Sequence, residues 1–417
     1  MYRRLGTIDN VMRMPRWTCL KQRCKYEGNK EMRFDRPIMV TRPYLPSLDE
    51  FKRGLEEIWS NQWLTNNGPM LQKFQSELSQ YLGVPGTNLA LFNNGTLALE
   101  LGYYVMGLAG GEVVTTPFTF VATSHALMRI GAKPVFADVD PETMCLSPEA
   151  AEKLITPQTK AIVPVHVYGN VCDVEGFERL GEKYGVKVIY DAAHACGVFG
   201  KFESSKGGVR SVGVCGNMSM FSFHPTKLFH SCEGGLLVFR DAKVQEKLFE
   251  LRNFAIHGEL SCTDVGTNAK MNELQALMGL ECLKKIDELL EYRQKIYNAY
   301  EEGFASCEGV KLVPYSRNKA YVPVLFRDFE TRERVYAELK EKCNVFSRRY
   351  FYPLLTDFAP YAYGKGSCPV AEDLASRVLT LPTYYGLPLE DVSAIAEDVR
   401  EIVNSNSKLQ LRPSCPD

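Results

Sequence analysis

The sequence predicts an α/β protein: a large domain with a mixed, mostly parallel sheet covered by helices, then a smaller C-terminal α/β domain. Two observations carry the prediction. From Pro37 onward, short and nearly continuous apolar runs alternate with helical stretches, as expected of parallel strands buried on both faces. After about residue 270 the pattern changes to one long helical stretch followed by sparser strands.

The elements follow in order. NLALF (88–92) reads as a strand, and after the turn Asn93-Asn94-Gly95 a helix opens at Thr96. EVVTT (112–116) is a strand, Ala122–Arg129 a helix and PVFADV (134–139) a strand. AIVPVHV (161–167), KVIYDA (187–192), MSMFSF (218–223) and GLLVF (235–239) complete the set. Between them, Val174–Tyr184 is helical and ends at Gly185, which suits a C-cap. Residues 270–303 form one helical pattern with apolar positions three and four apart. YVPVLF (321–326) is a strand, and helices cover Thr331–Lys342 and Leu389–Val403. The predicted units are an extension over 1–36, a large domain over 37–285 and a small domain over 286–417. No fixed-period repeat is present.

Composition narrows the function. The 417 residues carry 49 Lys+Arg against 50 Asp+Glu, so no strongly basic surface is available for nucleic acid. No apolar run approaches the roughly 18–20 residues needed to span a bilayer. The 13 cysteines run from Cys19 to Cys415 without a CxxC pair or zinc-finger spacing. That favours a reduced, cytoplasmic protein with cysteines as small buried apolar groups, and no metal. The first 36 residues are Arg-rich, acid-poor and aperiodic. They read as a surface extension or an upstream start rather than an organelle transit peptide.

In open α/β sheets, ligands gather at the carboxyl ends of the strands, so the residues standing there matter most. Gly95 and Thr96 open a helix after the first strand, where free N–H groups and the positive dipole end suit a phosphate. Taken alone the same motif is an ordinary turn and cap. Asp191 ends KVIY, and an acid in apolar surroundings needs a cation or donor, unless it serves as a helix cap. His194, three residues on, is either a ligand contact or a satisfied interior histidine. Lys227 lies on the short connection between two apolar strands; a desolvated lysine has a lowered pKa and attacks aldehydes. Ser222 offers a hydroxyl to the phosphate of the Gly95 turn. A phosphate cradle, a carboxylate for a ring nitrogen and a lysine for an aldehyde are the groups that pyridoxal 5′-phosphate requires.

WLTNNGP (63–69), NNGTLALEL (93–101), TPFTFVAT (116–123), DAAHA (191–195), SFHPTKLF…EGG (222–235) and GTNAKMNELQA (266–276) resemble, in order, the DegT/DnrJ/StrS family of sugar aminotransferases. The resemblance runs from about Pro37 to Val403. It implies the fold of type I pyridoxal-phosphate enzymes and a homodimer with active sites at the subunit interface. It makes Lys227 the catalytic lysine that holds the cofactor, Asp191 the partner of the pyridine nitrogen, and Gly95, Thr96 and Ser222 phosphate contacts. Phe120 is the aromatic that stacks on the ring, His194 the residue near the phenolic oxygen, and Asn268 an asparagine reaching the neighbouring subunit's phosphate. Pro225 stands in the HxTK motif where alanine is frequent. The implied donor is L-glutamate, and VTRPYLPSLDEF (40–51) with two of these motifs looks most like the branch that aminates dTDP-4-keto-6-deoxyglucose at C4. Amination at C3, and UDP- or GDP-linked substrates, stay open. A sugar 3-dehydratase of this family carries histidine in place of the lysine, which Lys227 opposes. A non-catalytic regulator on the same fold is the rival from another class, and the extension is too short and aperiodic for a helix-turn-helix.

Overall fold

The computed structural model describes residues 32–202 and 209–405. Most of the extension (1–31), with Cys19, and the tail bearing Cys415 therefore lie outside the described residues.

Seven strands form the central sheet: β1 Leu89–Phe92, β2 Glu112–Thr115, β3 Lys133–Phe136, β4 Thr159–Val163, β5 Lys187–Asp191, β6 Met218–Ser222 and β7 Gly235–Phe239. Their spatial order is β1-β7-β6-β5-β4-β2-β3. Only β7 opposes its two neighbours, and the other pairings are parallel. The apolar runs are continuous because both faces are covered. Leu89 and Leu91 join one core and Ala90 and Phe92 the other, on opposite sides of the sheet.

Helices fill both layers. They include α1 Leu48–Asn61, α2 Pro69–Leu82, α3 Gly95–Val105, α4 Val121–Arg129 and α5 Val174–Tyr184. Gly185 ends α5 in the left-handed conformation that its place in the sequence predicts. α1 and α2 add to the elements read from the sequence.

The pattern over 270–303 resolves into two helices, α6 Glu273–Leu283 and α7 Ile286–Phe304. A capping box between Asn272 and Gln275 starts α6 at Glu273, leaving Lys270 outside it. The break falls at exposed Lys284–Lys285, where the chain passes from a helix buried almost all round to an amphipathic one. A single hydrophobic period spans both, which is why the sequence reads as one helix.

The second sheet is antiparallel: β8 Val310–Leu312, β9 Val322–Phe326 and β10 Val378–Leu381. It shares a core with α7, with α8 Phe329–Cys343 and with α9 Leu389–Asn404. Ile38 belongs to that core, because Ile38–Met39 pairs parallel with Val345–Phe346. Arg33 pairs with Glu397 and Asp398, and Arg36 with Asp391, tying the same segment to α9.

Two helices that begin with proline borrow their caps from far along the chain. α2 starts at Pro69 after Gly68, which has no side chain to offer. Buried Glu273 accepts from the Met70 and Leu71 N–H groups at 2.8 and 3.1 Å. Asp138 does the same for Val370 and Ala371 at 2.9 and 2.8 Å, in the helix Pro369–Arg377. Replacing Glu273 with alanine strands two buried donors, and we expect a loss of about 1–3 kcal/mol. Urea unfolding followed by fluorescence reads this as a lower midpoint, with Glu273→Gln losing less; midpoints equal to wild type would show that the cap contributes nothing.

Candidate active site

The expected residues collect at the carboxyl edge of the central sheet. Asn94 caps α3 by accepting from the Leu97 N–H at 2.9 Å, so the N–H groups of Gly95 and Thr96 stay free at the end of β1. A Cβ on Gly95 would lie 3.2 Å from the Cβ and 3.4 Å from the Oγ of Ser222, at the end of β6. A side chain here would crowd the strand, so glycine eases the close approach that sets the Ser222 hydroxyl beside the helix N-terminus. The Asn93 side-chain oxygen is buried here without a hydrogen-bond partner.

Asp191 is the last residue of β5 and is 4% exposed. One carboxylate oxygen accepts from Thr123 Oγ1 at 2.7 Å, the other from the Ala193 N–H at 3.0 Å. Among the described residues no cation lies within ion-pair distance of it. Burial pushes its carboxyl above the usual range, while the two donors and nearby Lys227 pull it back. No helix follows Asp191, so it does not serve as a helix cap. A buried carboxylate with two donors and no counter-ion is a site for a cation. Phe120 precedes α4 one turn before Thr123 and leaves its ring 54% exposed on this rim.

His194 is buried, and its Nδ1 accepts from the Tyr168 N–H at 3.1 Å. Burial, and next the charge of Lys227, keep its pKa well below the ordinary value. The ring is therefore neutral, with its proton on Nε2 as a donor. Tyr168 sits at φ +58°, a left-handed conformation rare for a bulky residue, and Ser316 Oγ holds its carbonyl at 2.8 Å. That turn aims the N–H at His194 and so sets the tautomer.

Lys227 lies in the loop between β6 and β7, its Nζ 3.3 Å from the Tyr321 hydroxyl. Burial lowers its amine below the ordinary lysine value, and Arg348 adds to that; Tyr350 and Asp191 oppose it. The lowered value favours the free amine, the nucleophilic form. Asn268 stands on the surface beside the Asn93 turn, where Asn93 donates to the Ala269 carbonyl at 2.9 Å.

Thr123, Tyr321, Asn318 and Arg348 complete the site without having been singled out in the sequence. Thr123 lies inside TPFTFVAT, three residues past Phe120, and its place on the first turn of a helix was an available signal. Asn318 donates to the carbonyls of His194 and Cys196, both at 2.8 Å, and carries no local signature. The free donors at the Gly95 turn, the uncompensated Asp191 and the amine of Lys227 fit the phosphate, ring nitrogen and aldehyde of pyridoxal 5′-phosphate.

The sequence pattern of the DegT/DnrJ/EryC1/StrS aminotransferase family matches residues 47–400. A dTDP-4-amino-4,6-dideoxy-D-glucose transaminase of Shigella dysenteriae is 42% identical over 376 residues, covering 88% of this chain and 100% of its own. A GDP-perosamine synthase of Escherichia coli O157:H7 is 31% identical over 364 residues, covering 86% and 97%. The crystal structure of DesI with its TDP-sugar product superposes with a TM-score of 0.82 at 33% identity, covering 90% of this chain and 95% of that one. Matched in pattern over most of its length, and in fold and sequence by these relatives, the chain belongs to the DegT/DnrJ/EryC1/StrS aminotransferase family.

Proposed function

We propose that this aminotransferase moves the amino group of L-glutamate to C4 of dTDP-4-keto-6-deoxy-D-glucose, giving dTDP-4-amino-4,6-dideoxy-D-glucose. The observation that carries this is the 42% identity, over the whole length of the relative, to a transaminase named for that product. Pyridoxal 5′-phosphate is the cofactor; it supplies an aldehyde and an electron-accepting ring.

The chain's own residues do the rest. The Gly95 and Thr96 N–H groups and the Ser222 hydroxyl would hold the phosphate. Asp191 would pair with the ring nitrogen and hold its proton there, since a buried carboxylate is stabilised by a cation. His194 would donate through Nε2 to the phenolic oxygen, and the exposed Phe120 ring would be the apolar surface for the cofactor's ring. Lys227 would hold the aldehyde, and its amine, when free, would take the proton from the donor's Cα as a general base and return one as an acid. The Tyr321 hydroxyl stands where it holds the released amine. Glutamate leaves as 2-oxoglutarate, and the keto-sugar's carbonyl becomes an amine.

A second copy of the chain completes the site in this reading. Around Asn268, Leu260 is 98% and Val265 88% exposed, with Phe254 and Ile256 about half exposed. An apolar patch of this kind marks an interface, and it would carry Asn268 to the neighbour's phosphate. The ten described cysteines are free, consistent with a cytoplasmic protein, and no described helix is long and apolar enough to cross a membrane. A GDP-linked 4-keto sugar is the second reading, favoured by the 31% identity to a GDP-perosamine synthase.

The purified holoprotein should show visible absorbance that bleaches with L-glutamate and returns on addition of dTDP-4-keto-6-deoxyglucose. Return with the GDP-linked sugar alone would select the second reading, and no bleaching would sink the donor. Lys227→Ala should fold with a wild-type far-ultraviolet spectrum yet show neither the lysine-linked absorbance nor turnover. Asp191→Asn keeps the Thr123 bond but not the charge, and we expect kcat to fall by about 100-fold or more. A wild-type rate in either variant would remove the role assigned to that residue.

A further inference from the structure

Arg348 and Arg349 are neighbours with opposite fates. Arg349 is used up within the small unit, pairing both of its guanidinium ends with Glu333 at 2.6 and 2.5 Å. Arg348 makes no ion pair with any carboxylate among the described residues, and it is exposed. Its backbone is locked to β10: Arg348 donates to the Thr380 carbonyl at 3.1 Å and accepts from the Thr380 N–H and hydroxyl at 2.8 and 3.0 Å. The guanidinium Nη1 donates to the Tyr350 hydroxyl at 3.0 Å, leaving its other donors free.

The small pocket it lines adjoins the loop that bears Lys227. Thr226, Tyr321 and Tyr350 line it with Arg348. Thr226 precedes the lysine, the Tyr321 hydroxyl is 3.3 Å from Nζ, and the rings of Tyr321 and Tyr350 are 6.0 Å apart. A guanidinium with free donors, linked to the reacting amine through Tyr350 and Tyr321, is built for a carboxylate or a phosphate. Chemistry separates the two. In an α-amino acid the carboxylate is one bond from the carbon that loses its proton, so its anchor must stand close to Lys227. In a nucleotide sugar the diphosphate is on C1, across the ring from a reacting C4, and its anchor belongs further out.

We propose that Arg348 binds the α-carboxylate of the amino donor and so sets the donor's Cα under Lys227. This rests on the glutamate reading above, and the experiment separates the two. Stopped-flow absorbance follows the two half-reactions independently on the holoenzyme, bleaching with L-glutamate and recovery of the glutamate-treated, desalted enzyme with the keto-sugar. Arg348→Met should raise the glutamate concentration giving half the maximal bleaching rate by about 10–100-fold. The effect on the keto-sugar concentration dependence should be at least ten times smaller, and Arg348→Lys, which keeps the charge, should recover part of the loss. Calorimetric titration with glutarate, which carries both carboxylates of the donor but cannot react, checks binding apart from turnover: Arg348→Met should bind it, and 2-oxoglutarate, more weakly than the wild type does. Unchanged glutamate dependence, or a loss confined to the keto-sugar half, overturns the assignment, the latter moving Arg348 to the diphosphate. Wild-type enzyme that ignores L-glutamate would sink the donor reading instead.

Discussion

A carboxylate buried at the end of a central strand, with no cation beside it, is the constraint around which the site is arranged. Desolvation favours the neutral form of Asp191 and the neutral form of Lys227 alike. Each draws the other back towards its charged form, so neither is settled without a third group. Thr123 and the Ala193 N–H hold the carboxylate in place but supply no charge. In the proposed reading, a protonated ring nitrogen would supply it. The parallel sheet makes this arrangement possible: β5 and β6 run side by side and end together, so Asp191 and the loop bearing Lys227 meet at one edge.

That geometry explains what was legible in the sequence. Gly95, Asp191, Ser222 and Lys227 each stand just after an apolar run, and the rule that ligands gather at the carboxyl ends of strands finds them. Their supports obey no such rule. Thr123 reaches Asp191 across 68 residues, Tyr321 reaches Lys227 across 94, and Asn318 reaches His194 across 124. Contacts of that range are made by tertiary packing, Thr123 within the central-sheet unit and Tyr321 and Asn318 from the second, and for the last two nothing local announces them. The split of 270–303 into two helices was hidden for the opposite reason: the local pattern is continuous, and only packing interrupts it.

The borrowed caps show the same dependence at the level of stability. A proline at N1 suits a helix start, but with glycine or cysteine before it the start lacks its usual side-chain acceptor. Glu273 and Asp138 provide one from 203 and 232 residues away. Glu273 also donates its own N–H to the Leu64 carbonyl at 3.0 Å, which pins the segment ahead of α2. The residues of WLTNNGP and KMNEL are thus parts of one junction, which accounts physically for two motifs that lie far apart in the chain.

The stretch from Ser316 to Tyr321 ties the second sheet to the chemistry. Ser316 fixes the Tyr168 carbonyl, and through that turn the tautomer of His194. Asn318 grips the His194 and Cys196 carbonyls and accepts from the Ala320 N–H at 3.1 Å. Arg293 of α7 closes the arrangement, donating to the Ala320 carbonyl at 2.7 Å. Tyr321 comes next and meets Lys227. Six residues at the entrance to β9 therefore position a histidine from one side and a lysine from the other. The smaller unit is in this sense a wall of the site: its movement relative to the central sheet has to shift the two groups together, because the same short segment holds both.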